Sequence, residues 1–169
     1  MEILFKNSYT RNKELAKEIY RLYYFKRKWL LVLYVLFGAS LLINIVSAAL
    51  GYSYNVSVFV FVPLFIAFQF YCYFRQVNTM VKRDNEVHGK EIVVETIVTD
   101  AFIQNTASTG SVNQIEYQKI KSAMQTKNLI LLRSQANLIY IFRKDTFEIG
   151  TKQEFIAFLK TKGIIVKGK

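Results

Sequence analysis

The sequence predicts a membrane α+β protein: a two-helix transmembrane hairpin followed by a small antiparallel β-sheet domain closed by a C-terminal helix. Three observations predict it. The stretch from Trp29 to Phe74 contains no Asp, Glu, Lys, Arg or His. Lysines and arginines flank that stretch on both sides. Beyond residue 90 the apolar residues recur at a spacing of two, the period of a half-buried strand, and return to helical spacing only near the C-terminus.

Each apolar run, 29–50 and 56–74, is long enough to cross a hydrocarbon core once, because ~30 Å needs ~20 helical residues at ~1.5 Å each. The connector Gly51-Tyr-Ser-Tyr-Asn55 leaves room only for a tight hairpin. Ser40, Asn44 and Ser47 share one face of the first run, a small and polar stripe suited to close helix packing or to a partner helix. Asn44 and Gln69 should not pair. The first lies ~22 Å from the start of its helix and the second ~8 Å from the end of its own. Pro63 removes a backbone donor from the second run and predicts a kink there. With no ionisable group in either run, an ion or proton pathway is disfavoured.

The net charge of +11 is concentrated where the chain meets lipid. Lys26, Arg27 and Lys28 abut the first run, and Arg75, Lys82 and Arg83 follow the second, so these six are the candidate lipid-headgroup contacts. The loop between the runs is uncharged. This positive-inside pattern predicts a cell-membrane protein with two spans and both termini cytoplasmic. It also argues against nucleic acid as the target of the basic charge. Cys72 is the single cysteine and lies inside the second run, which excludes an intramolecular disulfide and a cysteine-based metal site.

The order of elements follows from local signals. Residues 1–28 should hold a short β-prone segment and a helix capped by Thr10 and running to Lys28. Its face of Leu15, Ile19, Leu22 and Tyr23 would pack on the protein's own soluble domain or lie on the membrane. Residues 75–90 read as a juxtamembrane linker, helical at first. In 91–169 strands are expected from Glu91 to Thr99, Phe102 to Thr106, Val112 to Ile120, Leu129 to Arg133 and Leu138 to Phe142. Asp100-Ala101 and Ala107–Gly110 are the turns between the first three. Thr151-Lys-Gln-Glu154 is a capping box opening a helix that buries Phe155, Phe158 and Leu159 and ends at Gly163. The N-terminal Ile3–Phe5 segment can return to this sheet, which would make the hairpin an insertion in one folded unit.

This order, with Thr99-Asp-Ala-Phe-Ile103, Ile115-Glu-Tyr-Gln-Lys-Ile120, Tyr140-Ile-Phe-Arg-Lys-Asp-Thr-Phe147 and Phe155-Ile-Ala-Phe-Leu159, resembles the YcxB-like family of small bacterial membrane proteins. Phe142 stands where relatives often have proline. The resemblance implies a cytosolic domain of pleckstrin-homology-like (PH-like) fold without an assigned enzymatic activity. The residues it carries over are structural: Ile120, Phe147, Phe155 and Leu159.

No constellation for catalysis stands out. His88 is the single histidine, the acids are scattered over turns and strand faces, and no glycine pattern cradles a phosphate. No catalytic, cofactor-binding or metal-binding residue is therefore expected. The expected function is that of a non-enzymatic, membrane-anchored module whose cytosolic domain binds a membrane protein or an anionic lipid surface. Arg143 and Lys144, with Lys119, Lys121 and Lys127, are a further candidate patch for headgroups. The alternative is an immunity protein against a membrane-acting toxin or bacteriocin, with Asn44 as its intramembrane contact. Self-association through the Ser40–Asn44–Ser47 face is a further expectation.

Overall fold

The structure is a computed structural model that describes residues 2–25, 28–88 and 91–168. The chain divides into two compact units. One is built from Met1–Arg11 and Lys90–Lys169, the other from Asn12–Gly89.

The first unit is β-rich. Strands β1 (Phe5–Arg11), β2 (Ile92–Val98), β3 (Phe102–Ala107) and β4 (Val112–Glu116) form an antiparallel sheet that β8 (Phe147–Ile149) extends at the other side of β1, in the order β4-β3-β2-β1-β8. Strands β5 (Ile120–Gln125), β6 (Leu129–Ser134) and β7 (Ile139–Arg143) form a second antiparallel sheet, with β9 (Val166–Lys167) running parallel to β5. One core joins both sheets to helix α4 (Lys152–Thr161). It includes Phe5, Val98, Ile103, Ile115, Ile130, Leu132, Phe142, Phe155 and Leu159. Phe155 is its hub, with ring centroids 4.4 Å from Phe142, 5.4 Å from Phe5 and 5.7 Å from Phe147.

Polar groups link the sheets as well. Asn7 is fully buried on β1, and its side-chain amide donates to the carbonyl of Arg143 (2.8 Å) while its oxygen accepts from the Arg143 N–H (3.1 Å). A side chain thus imitates a strand neighbour where the two sheets meet, and both backbone groups of Arg143 are satisfied without a continuous ladder. The capping box is formed as expected: Thr151 Oγ1 accepts from Glu154 N–H, and Glu154 accepts from Thr151 N–H at 2.8 Å. At the other end, Gly163 takes a φ of +78°, with Gly163 N–H bonded to Lys160 O and Ile164 N–H to Leu159 O. This is the Schellman pattern, and buried Ile164 and Leu159 supply its apolar contact.

The second unit is helical: α1 (Lys13–Phe25), α2 (Lys28–Ala49) and α3 (Val56–His88). Both long helices are apolar and long enough to cross a membrane. α2 and α3 pair as a hairpin, with Phe37 against Phe65 at 5.1 Å. α1 packs along α3, where Phe25 meets Phe70 and Tyr73 and the Tyr73 hydroxyl donates to Lys17 O at 3.4 Å.

Several expectations are corrected. The 75–90 linker is largely continuous helix, since α3 passes through Pro63 and on to His88. Thr10 belongs to β1, and Asn12 caps α1 instead by accepting from Leu15 N–H. The segment expected as one strand over Val112–Ile120 breaks at a 3-10 turn, Tyr117–Lys119. Tyr117 turns into the core there, its hydroxyl donates to Thr99 O, and the chain crosses from the first sheet to the second. The N-terminal strand does enter the sheet, over Phe5–Arg11, paired on both sides. β8 and β9 are too short to leave a periodic signal.

Candidate functional site

The residues chosen as headgroup contacts fall into two groups. Lys26 and Arg27 lie outside the described residues, as does the side chain of Lys28, which begins α2. Arg75, Lys82 and Arg83 all stand exposed on α3 beyond its apolar run. Along that helix, Tyr71, Phe74, Arg75, Asn78, Thr79 and Lys82 line an open trough of about 440 Å³. Their spacing of three, four and seven puts them on one helical face. Tyr71 and Phe74 belong to the expected second run, whereas Asn78 and Thr79 join the same face because the helix continues unbroken past Phe74.

The electrostatics of this face are simple. Lys82 has an exposed partner, Glu86, at 3.5 Å, a contact of little energetic weight. Among the described residues Arg75 and Arg83 form no ion pair. α1 adds a second exposed basic row in the same unit, Lys13, Lys17 and Arg21.

Cations of the β unit are differently placed. Arg143 meets Asp145 with two hydrogen bonds (3.1 and 2.7 Å), and these hold the Asp145 carboxyl below its ordinary range. Lys144 donates to Thr126 O at 2.6 Å, Lys119 pairs with Glu116, and Lys6 lies 3.1 Å from both Glu95 and Glu148. Lys162 bonds Asp100 at 2.6 Å and sits 5.3 Å from the ring centres of Tyr117 and Phe158. Among the described residues of the patch around Arg143 and Lys144, Lys121 and Lys127 have no such contact. Burial, helped by the Asp100 charge, pushes the Tyr117 phenol well up, so its hydroxyl remains a donor to Thr99. Tyr9, pushed up to about 12 by burial, is likewise a neutral core residue.

The stripe of Ser40, Asn44 and Ser47 is half-buried, on the same α2 face as Phe37, which contacts α3. Asn44 donates to Ser40 O at 2.9 Å and accepts from Asn55 N–H at 2.7 Å, while Asn55 accepts from Ser57 N–H and caps α3. The Asn44 amide thus closes the hairpin's own connector. Local bonding of this kind is one of the two uses expected of the stripe, the other being contact with a partner helix.

Among the described residues no group of three or more His, Cys, Asp or Glu is placed to hold a metal ion. No family model, curated protein or solved structure matches the chain.

Proposed function

We propose that this chain is a non-enzymatic, membrane-anchored interaction module. The α2–α3 hairpin spans the bilayer with both termini cytoplasmic, and the β unit is a cytosolic PH-like domain serving a membrane protein or an anionic lipid surface. The carrying observation is the exposure of the two apolar helices. Only 6% of the first apolar window and 11% of the second is buried. A soluble protein's core helix would have its apolar residues inside, whereas such a length of exposed hydrocarbon asks for lipid.

The PH-like assignment is supported by the order of strands. A four-strand meander and a three-strand meander share one core and are closed by a C-terminal helix. The same order supports membership of the YcxB-like family. Exposed cations just past the apolar part of α3 support an inner-leaflet orientation. The immunity reading would need a contact other than the Asn44 amide, which the connector occupies.

Single-cysteine labelling with a membrane-impermeant maleimide tests the orientation. In a Cys72→Ala background, Ser53→Cys should label in intact cells and Thr109→Cys only after lysis; the reverse would refute the topology. A pull-down in mild detergent then reads the partner. A stoichiometric second protein or retained anionic lipid is expected, and recovery of the bare chain with neither would refute the binding role.

A further inference from the structure

We propose that the α3 trough is a binding site for the headgroup of one anionic phospholipid, a step that rests on the membrane-anchored reading above. The argument begins with depth. From Val56 to Phe74 the helix rises ~28 Å, close to the ~30 Å of a hydrocarbon core. Arg75 therefore stands at the edge of that core, and Lys82 ~10 Å further along the axis. A headgroup layer occupies the ~5–8 Å on each side between the core and bulk water. The two cations bracket the layer in which lipid phosphates lie.

The lining matches the ligand from one end to the other. Tyr71 and Phe74, both exposed, offer rings at the apolar end, where the glycerol backbone and upper acyl chain would rest. Arg75 presents a planar fork suited to a phosphate diester. Asn78 and Thr79 place an amide and a hydroxyl midway, and Lys82 closes the polar end. Among the described residues no acid lines the trough. Lys82 has Glu86 at 3.5 Å outside the lining, much as Arg143, Lys119, Lys162 and Lys6 of the β unit face carboxylates. Arg75 differs in kind. Its charge has no carboxylate partner among the described residues, and a phosphate would supply one.

The test is native mass spectrometry of the full chain released from detergent containing equal amounts of phosphatidylglycerol and phosphatidylcholine. One phosphatidylglycerol should be retained per chain, preferred by about tenfold or more. The double variant Arg75→Gln/Lys82→Gln should lose that preference. Lys13→Gln/Lys17→Gln, which removes the same charge from α1, should change it by less than about threefold. Equal loss in both variants would overturn the site while leaving a membrane protein with diffuse charge attraction. No preference in the wild type would overturn it too, and the maleimide labelling separately reads whether the chain spans the bilayer. Tyr71→Ala/Phe74→Ala should also weaken retention. If it does not, or if inorganic phosphate displaces the lipid at equal concentration, the site is one for free phosphate and the lipid assignment is wrong. Unchanged helical circular dichroism in each variant separates these effects from misfolding.

Discussion

Asn7 carries more structure than its size suggests. It is fully buried and makes two hydrogen bonds to one residue of the opposite sheet. Asn7→Leu would strand the Arg143 N–H and C=O against an apolar side chain. A loss of ~2–4 kcal/mol is expected for two such groups, read as a lower urea midpoint for protease resistance of the β unit. A midpoint within error of wild type would show that water replaces the amide. Carboxylates act at this scale too. Asp145 is held below its ordinary value of 3.8 by hydrogen bonds from Arg143, and Glu148 below 4.5 by those from Ser8 and Lys6. A depressed carboxylate contributes stability that is present above its unfolded pKa and lost as pH falls through the folded one. Stability should therefore decline below about pH 4.5, gently because these groups are exposed. Asp145→Asn should flatten that acid limb in unfolding measured between pH 5 and 2, and an unaltered slope would count against the Arg143 contact.

At the scale of elements, two glycines separate conformational from steric cost. Gly163 and Gly150 both have positive φ, +78° and +76°. A Cβ on Gly163 would meet nothing within 4 Å, whereas one on Gly150 would fall 2.4 Å from the ring of Phe5. Gly163→Ala should cost only the left-handed strain, ~1–2 kcal/mol. Gly150→Ala adds displacement of a core aromatic and should cost more by ~1–3 kcal/mol. Equal thermal shifts would mean that Phe5 moves aside freely. The C-terminal helix was legible to the residue, because its start and stop are local devices: the Thr151 box, the Gly163 turn and the apolar 155–159 face. The end of the second long helix was not. α3 extends 14 residues past Phe74, and one face of that extension is tertiary in origin: Val77 is fully buried and Asp84 is buried too. A polar-looking segment becomes helix when one face has something to bury against.

For the whole molecule, the arrangement of units makes the N-terminus indispensable. β1 is an interior strand, paired with β2 along its whole length and with β8 on its other edge. Deleting residues 1–9 should therefore abolish protease resistance of the β unit rather than trim it. The helical unit is expected to be removable. Arg11 and Ile92 are paired in register, so the chain leaves and rejoins the sheet at adjacent positions. Replacing residues 12–91 by Asn-Gly would close β1 and β2 with a two-residue hairpin turn. A soluble, monomeric, β-rich protein is the expected product, and aggregation of it would refute the independence of the β unit.

What the sequence determined by itself was local or compositional. Uncharged runs of helical length, the cations beside them, the alternation in β2 and the caps of α4 are properties of neighbouring residues, and hydration and hydrogen bonding act on them wherever they lie. Only the tertiary structure decided the rest. It paired β1 with a strand more than eighty residues away, turned Tyr117 inward to divide one expected strand between two sheets, and engaged Asn44 with Asn55 across the connector. Each of these depends on a partner distant in sequence. A buried amide or ring is specified by the group it meets, and no periodicity in its own segment encodes that group.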